Sequence, residues 1–155
     1  MRHALIFAAA ALLAPAAWAQ PAPPSADGLI GPALFVSDVP RALAFYRDGL
    51  GMKVGIEMGA PARHETILTF GGDPRAPGII LLSDQTAKTP APIEHGHGYD
   101  RVVLRVGDLT AIEARLKSGG FTTTPIHDVA MGYRMMLATD PDGYKLELVE
   151  TRPKP

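Results

Sequence analysis

The chain repeats itself. Displacing the sequence by 70 residues lays Leu34 on Leu104, Val36 on Val106, Asp38 on Asp108 and Gly49 on Gly119. The first copy opens "ALFVSDVPRALAFYRDGLGMKV" (residues 33–54) and the second "VVLRVGDLTAIEARLKSGGF" (residues 102–121). A repeat of this period constrains the fold strongly, because both halves must build the same unit and one unit alone cannot bury its apolar face.

Each copy reads as a strand followed by a helix. Asp38 and Asp108 stand just before the helices, where a short acidic side chain accepts hydrogen bonds from free backbone N–H groups; both read as caps. Pro40 lies in the first turn, where proline is tolerated. Val39, Leu43, Tyr46 and Leu50 mark the apolar stripe of one helix, and Leu109, Ile112 and Leu116 that of the other. Gly49 and Gly119 are placed at the helix ends, as left-handed caps. Three more strands are expected in each half, at residues 53–57, 65–70 and 78–83, then at 122–127, 134–138 and 144–149. "GGDPRAPG" and "DPDG" are turn punctuation. The fold class is therefore α+β: two βαβββ modules, residues 29–84 and 99–150, joined by a Pro- and Gly-rich linker, 85–98, within a single domain over residues 29–152.

Strand alternation orients the side chains. Val102, Leu104 and Val106 should face the helix, leaving Arg101, Val103 and Arg105 on the opposite face. In "DPDGYKLELVE", Leu146 and Leu148 face the helix, and Lys145, Glu147 and Val149 do not. Two sheets, each covered by a helix on one side, leave their other faces to form a trough, a natural small-molecule site. Phe35 belongs to that face in the first module, available to stack on a planar ligand or to fill space.

A net charge of −1 gives no electrostatic reason to expect nucleic acid. The chain has no cysteine, which removes thiol chemistry and Cys-type zinc sites. At the N-terminus, Arg2 and His3 precede an apolar run (residues 4–14), and Ala17-Trp18-Ala19 follows as a small-x-small cleavage pattern. Residues 1–19 read as a signal peptide and 20–28 as a Pro-rich linker, implying export to the periplasm or the extracellular space. The apolar run falls short of the ~20 residues a membrane span needs, so no stable insertion is expected after cleavage.

The stretches "FVSDVPRALAFYRDGLGMKV", "RVVLRVGDL" and "DPDGYKLELVE" resemble the vicinal oxygen chelate superfamily, which includes glyoxalase I (lactoylglutathione lyase), extradiol dioxygenases and bleomycin-binding proteins; the resemblance spans residues 29–150. It implies a metal in the trough, held by one ligand from the first and one from the last strand of each module. Residue by residue, those positions fall on Gly31, Leu81, Arg101 and Glu147. Glycine and leucine offer no donor atom, and a guanidinium stays cationic. One carboxylate does not hold a metal ion that needs about three protein ligands. A divalent metal is therefore disfavoured, and no cofactor is expected. The resemblance also implies a homodimer, because family members often pair modules between subunits.

Arg101 is expected to take the metal's place, either as an ion pair with Glu147 or as a clamp for an anionic ligand. Arg105 joins it as a ligand contact, and Glu147 is the candidate general base. "EHGHGYD" places His95 and His97 at i, i+2. With Glu94 or Asp100 they suggest a metal site, but a Gly-rich linker reads more simply as a surface loop. His97 is carried as a lid residue that acts as acid or base or as a ligand contact. The methionines invite a copper-carrier reading, against adaptable packing. Three functions stay open: metal-independent binding of a small organic molecule, with an anion as one form; a divergent lyase, isomerase or dioxygenase using Glu147; and an exported metal carrier.

Overall fold

The computed structural model describes residues 27–151; the signal peptide expected at residues 1–19 and most of the expected linker lie outside the described residues. The first module contains β1 (Ala33–Phe35), α1 (Val39–Leu43), β2 (Lys53–Ala60), β3 (Arg63–Thr69) and β4 (Gly78–Ser83). The second contains β5 (Val102–Arg105), α2 (Leu109–Ser118), β6 (Thr122–Thr123), β7 (His127–Val129), β8 (Tyr133–Thr139) and β9 (Lys145–Thr151). The sheets run β1-β4-β3-β2 and β5-β9-β8-β6, with β7 also on β8. In both, the first strand lies parallel to the last strand of its own module and the remaining pairs are antiparallel. The βαβββ repeat is thus present in each half.

Both helices start where the caps were expected. The Asp38 carboxylate accepts from the Arg41 N–H at 3.0 Å, and that of Asp108 from the Ala111 N–H at 2.9 Å. The first helix then widens into a π-helical stretch, Ala44–Gly49. Gly49 and Gly119 are not the left-handed residues: Gly119 is right-handed at φ −78°, and the positive φ values fall at Gly51 (81°) and Gly120 (78°). Gly49 has a different use. A Cβ there would lie 2.5 Å from a Leu116 methyl, so its bareness lets the two helices approach.

The helix-facing sides of both sheets share one core. Leu34, Phe45, Tyr46 and Leu81 from the first module join Leu109, Leu116, Leu146 and Leu148 from the second, all buried. Polar bonds fasten the modules at its edge. The Tyr46 hydroxyl donates to Asp140 Oδ2 at 2.8 Å, Arg115 Nε donates to the Gly49 carbonyl at 3.0 Å, and the Ser37 hydroxyl donates to the Asp142 carboxylate. Burial raises the Asp140 carboxyl above its ordinary value, against the pull of the Tyr46 hydrogen bond. Burial first, then the charge of Asp140, raises the Tyr46 phenol.

Two further expectations, both about strands, need correction. The strand expected at residues 122–127 is split into β6 and β7, because Pro125 has no N–H to give to the ladder. Thr124 bridges the gap, its N–H donating to the Leu137 carbonyl at 2.8 Å and its hydroxyl accepting from the Leu137 N–H at 2.9 Å. Leu81 was matched to Glu147, but it pairs with Leu34 and is buried in the core. Its counterpart is Leu148, which pairs with Leu104, so here the repeat shift is 67 rather than 70. The residue matching Glu147 is Ile80, opposite Ala33 as Glu147 is opposite Val103.

Candidate functional site

The second face of each sheet, the face turned from the core, carries the candidate site. Alternation along β5 and β9 works as expected: Val102, Leu146 and Leu148 are buried, while Val103 is 58 % exposed. Arg101 precedes β5 and Glu147 is paired with Val103, so both project from this face. Arg101 Nε donates to Glu147 Oε2 at 2.5 Å, and its Nη1 donates to the Asp100 carboxylate. These bonds, that to Glu147 foremost, hold the guanidinium above its ordinary value. Arg101 remains 43 % exposed against 16 % for Glu147. Solvent at the arginine end makes the pair a weak contributor to stability. It also leaves donors of the guanidinium open to an incoming anion.

Arg105 and Lys145 share this face and are exposed. Neither has a hydrogen bond or ion pair among the described residues. Four basic or acidic groups of one strand pair, Arg101, Arg105, Lys145 and Glu147, thus give the face a positive balance.

The other expected contacts are not gathered with them. Phe35 is on the corresponding face of the first module, 46 % exposed, with the Arg63 guanidinium 5.4 Å from its ring centroid. It borders a cavity of about 790 Å³ that neither Arg101, Arg105 nor Glu147 lines. His97 is exposed in the linker, with no partner among the described residues. His95 is the fastened one: its Nε2 lies 2.7 Å from the Asp142 carbonyl oxygen and its ring meets Tyr144 edge-on at 4.8 Å. Sequence reasoning also passed over Glu65. It pairs with Leu82 and Met58 on the second face of the first module, and has no partner among the described residues. The alternation Arg63, Glu65, Ile67 against His64, Thr66, Leu68 would have revealed it.

The donor set does not fit the metal that the superfamily resemblance implies. Ile80, at the position assigned to Leu81, is equally without a donor. Gly31 is closed to any side chain: it has φ 145°, and a Cβ would fall 1.9 Å from the Gly78 carbonyl oxygen. Arg101 is cationic, so Glu147 alone of the four positions could ligate. Among the described residues no group of three or more His, Cys, Asp or Glu could hold a metal ion. The methionines are dispersed: Met52 and Met136 are buried in the core, while Met58 and Met131 are 51 % and 88 % exposed. No described helix is long and apolar enough to cross a membrane.

The comparisons with known proteins agree with this architecture. The curated lactoylglutathione lyase of Haemophilus influenzae is 32 % identical over 123 residues, covering 77 % of this chain and 89 % of that protein. That of Salmonella typhimurium is 26 % identical over 121 residues, with the same coverage of both chains. Among solved structures, the trypanothione-dependent glyoxalase I of Leishmania major superposes with a TM-score of 0.66 at 22 % identity, covering 80 % of this chain and 86 % of that one. The fosfomycin resistance protein FosX of Listeria monocytogenes gives 0.59 at 16 %, covering 81 % and 94 %. Both structural likenesses speak for the fold. Residues 29–148 match one family model, and the chain belongs to the Glyoxalase/Bleomycin resistance protein/Dioxygenase superfamily.

Proposed function

We propose that this protein binds a small anionic organic molecule on the second face of the β5–β9 pair, with Arg101 as the anion clamp and without the superfamily's metal. The observation that carries the reading is the Arg101–Glu147 ion pair at a position where the resemblance puts two metal ligands. Arginine recognises carboxylate or phosphate through two parallel N–H donors, which supplies geometry as well as charge. Arg105 and Lys145 add attraction, and Val103 and Val149 supply apolar contact for the organic part. The single chain leaves this face open, and a second copy is the proposed cover, giving a homodimer. Export of the mature chain, to the periplasm or beyond, belongs to the same reading; it rests on residues 1–19 and is tested by N-terminal sequencing of the exported form. The binding reading is tested by calorimetric titration with phenylphosphate and phenylacetate, for the natural chain and Arg101→Met. Equal affinities in the two would remove it.

A second reading draws on the curated relatives, which are named lactoylglutathione lyases. In it, Glu147 moves a proton at a carbon next to a carbonyl, with Arg101 holding the carboxylate in place. Turnover of methylglyoxal with glutathione, with and without added Ni²⁺ or Zn²⁺, decides it. Absence of turnover in both conditions leaves the binding reading.

A further inference from the structure

A cavity of small-molecule size lies away from the basic face. It is about 790 Å³, between the end of β1, the end of β4 and the linker that joins the modules. This falls inside the ~300–1,000 Å³ range of small-molecule sites. Its walls include Val36, Pro40, Pro92 and Ile93. Ser83, the last residue of β4, borders it with its hydroxyl buried out of reach of the cavity.

Charge narrows the ligand. Three carboxylates line the cavity, Asp38, Asp84 and Glu94, and no Lys, Arg or His does. Asp38 caps its helix, and Asp84 accepts from the Thr86 N–H at 2.8 Å and from its hydroxyl at 2.5 Å. Glu94 has no partner among the described residues. A neighbouring cavity of about 390 Å³ shares Phe35, Glu94 and Tyr144 with the first and adds Tyr99. Glu94 and the Phe35 and Tyr144 rings line the first cavity together, and a carboxylate with aromatic faces is a lining that suits an ammonium group.

We propose that this cavity is a second binding site, for an organic cation: an aryl- or alkylammonium whose charge meets Glu94 and the Phe35 and Tyr144 rings and whose body fills the Pro92–Ile93 wall. It is independent of the anion clamp, because neither Arg101 nor Glu147 lines it.

The test uses three probes of one shape and different charge: phenethylammonium, phenethyl alcohol and 3-phenylpropionate. Each is titrated into the ¹⁵N-labelled chain while backbone amide shifts are followed. Phenethylammonium should saturate shifts at Ser83, Gln85 and Ile93, with at least about tenfold higher affinity than 3-phenylpropionate, the size of one well-placed charge interaction. Glu94→Gln should shrink that ratio to about threefold or less. Ala91→Trp, at an exposed linker position bordering the cavity, should abolish the shifts and leave the thermal midpoint unchanged. Equal or tighter binding of the anion, shifts confined to Val103 and Glu147, undiminished binding by Ala91→Trp, or no saturable shift with any probe would each overturn the proposal. Failure here leaves the Arg101 reading standing, since that one predicts anion shifts at Val103 and Glu147.

Discussion

Arg101 and Glu147 meet across the parallel β5–β9 pair, Nε to Oε2 at 2.5 Å, with the arginine the more exposed partner. A pair built this way can open toward a ligand, because water already solvates one end of it. Arg101→Met should weaken binding of phenylphosphate by about tenfold, the loss of one charge-assisted contact. Glu147→Gln should act in the opposite direction, because it removes the carboxylate that competes for the guanidinium; a rise of about threefold is expected. Neither change should move the thermal midpoint. Calorimetry on both variants checks the two signs together, and a fall in affinity with Glu147→Gln would mean that the carboxylate itself contacts the ligand.

Restoring one ligand should not restore a metal site. Arg101→His adds a nitrogen beside Glu147, giving two donors where about three are required. Equilibrium dialysis against Ni²⁺ or Zn²⁺ should show no stoichiometric uptake by this variant. Gly31→His should fail differently, because the new Cβ would meet the Gly78 carbonyl oxygen at 1.9 Å. With φ at 145°, that position is also strained for any L side chain. A loss of about 3 kcal/mol or more in urea unfolding is expected from the clash and the strain together.

Tyr46 and Asp140 tie the first helix to the turn before β9, and their titration gives the tie a pH signature. Tyr46→Phe removes the hydroxyl that satisfies a buried carboxylate, so it should cost about 1–3 kcal/mol. The Tyr46 phenol is raised above its ordinary 10.0, so its contribution is intact below that pH. Above it the unfolded chain loses the proton first, and stability falls as pH rises. The Asp140 carboxyl is also raised, from 3.8; its contribution is fully present below that pH and is lost as pH climbs through the higher folded value. Urea unfolding across the pH range should show both slopes in the natural chain. Tyr46→Phe should show a smaller alkaline loss, the remainder belonging to Tyr99 and Tyr144, whose phenols burial also raises; retention of the full alkaline loss would place its origin elsewhere.

The repeat made the fold legible. Equal spacing of Asp38 and Asp108 located both helix starts, and the strand at residues 78–83 was found with its observed bounds. Alternation alone placed Glu147 and Val103 on the same face, because each strand has one side against the core. Leu81 was misplaced for a physical reason. It was matched to Glu147 by its place in the middle of the strand, which fell one residue off, because an apolar run such as "GIILLS" has no polar residue to mark its outward face. The cavity under the linker was not legible either, since it depends on where residues without a repeat partner come to rest.

The uncovered faces lead to the last expectation. Phe35, Ile56, Met58 and Val103 are 46 %, 42 %, 51 % and 58 % exposed on the sheet faces turned from the core. In a lone chain such apolar groups stay hydrated, at about 25 cal/mol per Å² of area left unburied. Val103 sits between Arg101 and Arg105, next to Glu147, so a partner that covers it also encloses the anion clamp. Val103→Glu puts a carboxylate into that contact without touching the core, since Val103 is the most exposed of the four. It should weaken self-association by at least about tenfold, the effect of desolvating one unpaired charge, and leave the unfolding midpoint of the monomer unchanged. Sedimentation equilibrium of the natural chain and the variant reads both species directly. A natural chain that stays monomeric at its highest soluble concentration would remove the homodimer and leave the clamp as an open surface site.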